Sequence, residues 1–334
     1  IYDKFRGEVL FMRSWLYFNL YRAFGGVPIA HKVVSPADAK TIRRCTDDEM
    51  YALLTGDLAE AARLLPASKG AEKARVTDIA AWTLLAKVYL TFGKPGEAKT
   101  ALEEAMKNPN YGLVNTTADA FNVKNKFNKE IIFALYYNKA NDTGHGYWYS
   151  TTKPEEAQLT QPTPVFRALY DARDNRLPLI SEYTEDKKGT YLLNKWFDNR
   201  NDALKGNVVE NDFPHLRYAD VVLMYAEALA ESGSSLGDAL VWLNKTRTRA
   251  GLDALKPEDI PSKGAFIEAL ADERGREFAL EGHRWFDLVR LGLALDRFHE
   301  MGYKLDAHNL LFPIPQNQIE IVNDKTILWQ NPGY

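Results

Sequence analysis

The chain has a single cysteine, Cys45. It therefore closes no internal disulfide and builds no cysteine-type zinc site. Arg43 and Arg44 stand beside it, which favours a thiolate. A small, partly buried residue just before a helix is the stronger reading. Neither sign of charge is in large excess. The formal net charge is -3, so nothing draws the chain to nucleic acid or anionic lipid. No apolar run reaches the roughly 18 residues of a membrane-spanning helix. Nothing reads as a signal peptide, an HExxH motif, a P-loop, a G-x-G-x-x-G turn or a calcium loop. The histidines show no metal-ligand spacing, and no cofactor or metal is expected. Asp198 and Asp202 flank Asn199 and Asn201 and could donate oxygens, but they read as a solvated turn.

What remains is an ordinary globular composition, hydrophobic 46% and charged 26% over 334 residues. That is enough for one large core or two domains. Aromatics make up 12%. The chain buries many rings or presents some to a ligand.

Helical periodicity dominates both ends of the chain. Residues 9–24 alternate at helical period and stop at Gly25-Gly26, with Pro28 beyond. Thr46 and Glu49 form a capping box for a helix over 47–65, which ends at Pro66. Trp82, Leu85, Ala86 and Tyr89 follow the spacing of a tetratricopeptide first helix. Ala98, Leu102 and Ala105 fall where its second helix needs small, large and small residues, and 93–96 make the turn. Residues 217–231 and 236–250 form a further antiparallel pair. Between them, Gly233-Ser234-Ser235-Leu236-Gly237 spells G-x-S-x-G. A nucleophile elbow follows a strand; here a helix precedes it, so it reads as an inter-helix turn with Ser as cap material. Such helix pairs stack because neither can bury its apolar face alone.

The period fails over 111–214. Residues 130–137 read as a short strand or a short helix, 138–164 as loop and 163–170 as helix. The organisation expected is an N-terminal helical scaffold over 1–110, an irregular loop-rich insertion over 111–214, and a C-terminal helical part with an extended tail over 215–334, all in one compact unit. Long loops held on a rigid scaffold are where function concentrates.

One charged stretch, 265–291, reads as a helix with Phe266, Leu270, Phe278, Trp285 and Leu288 at helical spacing. Asp272/Arg276, Glu281/Arg284 and Asp287/Arg290 are placed to pair along it. Gly275 and Gly282 weaken it and admit another backbone. A charge cluster of this kind is sometimes an active site. The reading favoured here is a partly buried ion network, with Glu277, Arg284 and Asp287 structural.

The candidate ligand site is the loop 138–152. Tyr147, Trp148 and Tyr149 are consecutive and sit beside Gly144 and Gly146. Asn141, Asp142 and His145 are near them. Sugars present apolar C–H faces and rings of hydroxyls, so their sites need flat aromatic platforms and planar hydrogen-bonding groups. The alternative is that alternate rings pack inward. Trp196 is a weaker candidate that reads as core.

Four ordered segments carry a resemblance. ERGREFALEGHRWFDLVR is similar to the C-terminal signature of the SusD/RagB family of Bacteroidetes. MRSWLYFNLYRAFGGVP resembles its N-terminal helix with the Gly-Gly-x-Pro exit. RYADVVLMYAEALAESGSSLGDALVWLNKTRTRAGL resembles its central helix pair, and LFPIPQNQIEIVNDKTILWQNPGY its tail. The resemblance implies a mostly α fold, tetratricopeptide-like pairs in a SusD-like α-α superhelix. It implies non-catalytic capture of a glycan at the outer face of the outer membrane. It also implies delivery to a SusC-like TonB-dependent transporter, and no nucleic-acid partner. Family members carry a lipidated cysteine and a further helical segment before the first helix. Neither is here, so the lipid anchor is expected outside this chain. The rival readings are a tetratricopeptide adaptor for protein tails and a glycosidase with an Asp/Glu pair.

Overall fold

The computed structural model describes residues 1–67, 74–138, 162–183, 191–192, 195 and 210–334. The chain is mostly helical, as expected. Helix α1 (Tyr2–Phe24) begins earlier than the apolar period suggested. It is followed by α2 (Asp47–Leu64), α3 (Asp78–Thr91) and α4 (Pro95–Met106). The local signals are those in the sequence. Thr46 Oγ1 accepts from Glu49 N at 3.2 Å, and the Glu49 carboxylate accepts from Thr46 N at 2.9 Å, closing the box at the start of α2. Pro95 occupies the first turn of α4, where its missing N–H costs nothing.

Each helix packs on the next: α1 on α2, α2 on α3, α3 on α4. The series resumes with α5 (Tyr218–Glu231), which lies on α4, then α6 (Leu236–Arg249) and α7 (Lys263–Glu277). One apolar cluster runs through all seven. Ser235 caps α6 by accepting from Asp238 N at 3.1 Å, so the G-x-S-x-G segment is an inter-helix turn.

The tetratricopeptide-like pair is α3 and α4. Leu85, Ala98 and Leu102 are buried in it, and Trp82 and Tyr89 pack against the same core from its edge. Ala98 is fully buried. Ala98→Leu is expected to overpack this contact and lower stability by about 1–3 kcal/mol, read as a shifted denaturant midpoint. An unchanged midpoint would mean that the pair has room the repeat does not allow.

The segment 130–137 resolves as a strand. β1 (Ile131–Leu135) pairs antiparallel with β4 (Phe213–Arg217), Ile131 opposite Arg217 and Leu135 opposite Phe213. A second small pair, β2 (Glu182–Tyr183) with β3 (Tyr191–Leu192), lies between them in sequence. β4 runs directly into α5, so the irregular excursion leaves and returns on neighbouring strands.

Three expectations are corrected. The stretch 265–291 is not one helix. It breaks after Glu277 and restarts as α8 (Arg284–Arg290), with Leu280 at φ 67 and Gly282 at φ 79 in the break. The Gly282 value suits glycine, and the Leu280 value is rare for a residue with a side chain. Gly275 admits a side chain rather than a backbone: an added Cβ would sit 2.8 Å from Arg284 Nη1. The tail is not wholly extended either. After α9 (Ala294–Glu300) it carries α10 (Gln316–Val322).

The tail is fixed by Arg44, which is buried. Its guanidinium donates to Gly26 O at 2.6 Å, Phe24 O at 2.9 Å, Trp329 O at 2.8 Å and Asn331 Oδ1 at 2.8 Å. Cys45, beside it, is buried, and burial pushes its thiol up rather than toward a thiolate. Along α1, Tyr2, Phe5, Val9, Leu16 and Leu20 are exposed at helical spacing and form an apolar stripe.

Candidate functional site

Asn141, Asp142, His145, Tyr147, Trp148 and Tyr149 lie outside the described residues, as does Trp196. The residues just before them are described. β1 ends at Leu135, and Tyr136 follows it, 43% exposed. Its ring lies 5.3 Å from that of Phe127, and Lys126 Nζ sits 4.8 Å from the Tyr136 centroid. Lys126 Nζ also donates to Tyr137 O at 2.6 Å and to Asp212 Oδ1 at 2.8 Å. Asp212 Oδ1 accepts from Tyr137 N at 3.2 Å. The chain leaving β1 and the chain entering β4 are thus clamped to each other at Tyr137 and Asp212. The exposed ring of Tyr136 at this edge was not singled out from sequence, although EIIFALYY ends on two tyrosines.

At the opposite end of the β1–β4 pair, where Glu130 meets Arg217, lies a buried ion network. Glu277, at the end of α7, is fully buried. Its carboxylate accepts from Arg249 Nη2 at 2.5 Å, Arg217 Nη1 at 3.0 Å and Arg176 Nη1 at 3.0 Å. Arg217 also reaches Glu130 at 2.5 Å and Glu281 at 2.7 Å and 2.9 Å. Lys195 Nζ donates to Glu281 at 2.6 Å and to the carbonyls of Ala279 and Glu277 at 2.8 Å and 3.1 Å. Arg176 forks onto Asp174 at 2.9 Å and 2.8 Å and reaches Glu273 at 2.7 Å.

These partners come from both sides of the excursion. Glu130 precedes β1, Arg217 closes β4, and Arg176 and Lys195 lie within the excursion itself. The network therefore pins both ends of the excursion and two points within it to α6, α7 and the break after α7. A small apolar cluster of Tyr170, Ile180 and Ala279 packs beneath the same segment, and Tyr170 Oη donates to Arg276 O at 2.9 Å.

Burial alone pushes Glu277 toward its neutral form. The charges of Arg249, Arg217 and Arg176 outweigh that and hold it well below the usual carboxylate range. Glu273, also buried, is held low by Arg176 and Arg276. Each carboxylate is committed to several cations. The arrangement fixes backbone; it does not poise an acid beside a base.

A second network joins the helices. Asp220 of α5 meets Lys87 of α3, and Arg274 of α7 at 2.9 Å. Arg274 also reaches Asp287 of α8 at 2.8 Å, and Arg290 joins Asp287 at 2.9 Å and Glu227 of α5. Of the pairs expected along 265–291, only Asp287/Arg290 forms. Asp272 faces Arg297 at 3.3 Å and Arg284 at 3.6 Å, Arg276 takes Glu273 at 3.0 Å, and Glu281 turns to Arg217 and Lys195. Glu277 and Asp287 find structural partners, as expected. Arg284 is anchored locally, donating to Ala271 O at 2.5 Å. Sequence reading missed Glu130, Arg176 and Lys195. Their only signal was an isolated charge in an apolar or irregular setting.

Comparison with known proteins agrees with this geometry. Residues 170–334 match the model of the SusD family, and residues 1–90 match the model described as starch-binding, associating with outer membrane. SusD-like protein P2 of Formosa agariphila is 26% identical, over 98% of this chain and 73% of its own length. Starch-binding protein SusD of Bacteroides thetaiotaomicron is 32% identical over 42% of this chain and 25% of its own. A laminarin-binding SusD-like protein of known structure superposes with a TM-score of 0.81 at 26% identity, covering 99% of this chain and 79% of that one. With the stacked helix pairs and the signature segments in the same order, the chain belongs to the SusD family.

Proposed function

We propose that the protein is a non-catalytic glycan-binding component of the outer cell surface, and that the loop 138–152 contributes the binding face. One observation carries this reading. Three consecutive aromatic residues lie in a glycine-containing segment, and the chain just before that segment is clamped by Lys126 and Asp212 in a SusD-family scaffold. Relatives whose names state a ligand bind starch and laminarin, both polysaccharides. Trp148 is the main platform, with Tyr147 and Tyr149 beside it and Asn141, Asp142 and His145 supplying hydrogen bonds. If the loop is extended, Trp148 faces opposite to the two tyrosines, so one of these groups points inward. Tyr136 adds a further ring at the loop's edge.

Family membership supports hand-over of the glycan to a SusC-like TonB-dependent transporter at the outer membrane. Stacking on an indole removes the apolar face of a sugar from water, worth roughly 25 cal/mol per Å². Trp148→Ala is expected to cost on the order of 1–3 kcal/mol, or about tenfold to a hundredfold in affinity. The measurement is affinity electrophoresis against a polysaccharide that the wild type binds. Full affinity in a folded variant would move the site away from this loop.

A further inference from the structure

A cavity of about 190 Å³ lies inside the scaffold between α1, β4 and the start of α8. Trp15, Asn19, Arg22, Phe213, His215 and Phe286 are among the residues that line it. Trp15, Phe18, Phe213 and Phe286 supply its rings, with the polar groups of Lys87, Glu281 and His283 also in its walls. The His215 ring lies 4.8 Å from that of Trp15 and 5.2 Å from that of Phe213. Burial lowers the His215 pKa to about 4, so it is a neutral imidazole, and its Nε2 has no hydrogen-bond partner.

Arg22 is the charged group that stands out. Its Nη2 donates to Asn19 Oδ1 at 2.6 Å, and its guanidinium lies 4.5 Å from the Phe18 centroid and 4.1 Å from the Phe286 centroid. Its Nε has no hydrogen-bond partner. Among the described residues it forms no salt bridge. The neighbouring cations are all matched: Lys87, Arg274 and Arg290 share Asp220, Asp287 and Glu227. Glu281, which also lines the cavity, is taken by Lys195 and Arg217. One positive charge in a confined aromatic setting is left without a counter-charge. A buried, uncompensated charge is costly.

We propose that this cavity binds a small monocarboxylate, with its carboxylate on Arg22 and its apolar part among Trp15, Phe213 and Phe286. A single negative charge matches the single unmatched cation, whereas a dianion would bring an excess charge into the same space. A planar carboxylate suits a guanidinium, and the ring walls favour an anion with an apolar body over a hydrated halide. The volume is below the roughly 300–1,000 Å³ of pockets for larger ligands, which limits the occupant to a few heavy atoms.

The probe is sodium propionate, titrated into the wild type by calorimetry at constant ionic strength, with sodium chloride and propionamide as controls. Saturable binding of propionate alone is expected, with at least a tenfold loss in Arg22→Met, which keeps the length of the side chain and removes its charge. Equal responses to propionate and chloride, or undiminished binding by Arg22→Met, would overturn the proposal. If Arg22→Met does not fold, nuclear Overhauser contacts from the methyl of labelled propionate to the Trp15 and Phe286 rings in the wild type decide it. Their presence supports the site and their absence removes it.

Discussion

Glu277→Ala is expected to lower stability by about 3–5 kcal/mol, because it breaks buried ion pairs by removing one partner. The carboxylate is shared by Arg176, Arg217 and Arg249, and all three stay behind. Glu130, Glu273 and Glu281 neutralise part of that charge but cannot fill the space between the guanidiniums. The sign of the pH dependence follows from the low pKa of Glu277. A carboxylate depressed by folding contributes stability above its unfolded value, about 4, and loses it as pH falls below. The gap between wild type and variant should therefore be full at neutral pH and narrow in acid. Chemical denaturation at both pH values measures it. Glu300→Ala, at an exposed position, should change stability by no more than about 0.5 kcal/mol. Glu277→Ala with full stability but lost ligand binding would make this residue part of the site instead of its support.

The second large effect is expected at Gly26. A Cβ there would lie 2.1 Å from the carbonyl oxygen of Cys45. Neither backbone is free to yield. Cys45 N donates to Val27 O at 3.0 Å, and Gly26 O holds Arg44, which holds the tail. Gly26→Ala must separate these two backbone segments and loosen residues 311–334 together. The expected cost is about 3 kcal/mol or more, the upper end of overpacking, and the tail should become sensitive to protease. Gly25→Ala is the comparison. Gly25 sits at φ 73, ψ -151, a conformation open essentially to glycine alone, with side chains as its nearest neighbours, Leu311 and Arg44, so its cost is mainly backbone strain, about 1–3 kcal/mol. A Gly26→Ala variant as stable as wild type would mean that α1 leaves the core by another path.

The scaffold was legible because its signals are local. The capping box at Thr46, the W-x2-L-x3-Y spacing of α3 and the small residues of α4 each act over one or two turns. The charged stretch was less legible for the opposite reason. Spacing of three or four residues suggests pairs along one helix, but Glu277 and Glu281 pair with Arg176, Arg217 and Lys195, more than 50 residues away in sequence. The break itself rests on Leu280 at positive φ, which no leucine advertises. β4 was hidden too: FPHLR has a proline and a histidine, and it becomes a strand because β1 offers it a partner. At the candidate site, composition marked the aromatic loop. The clamp of Lys126 and Asp212 just before it was not legible, since those residues are 86 positions apart.

The most direct test of the central claim is calorimetric titration of the wild-type chain with laminarin and starch oligosaccharides and a wider glycan panel, with reducing ends assayed in the same samples. The account predicts saturable binding to at least one glycan, a constant level of reducing ends, and loss of that binding in Trp148→Ala. Binding to none of the glycans, or a steady rise in reducing ends, would contradict it.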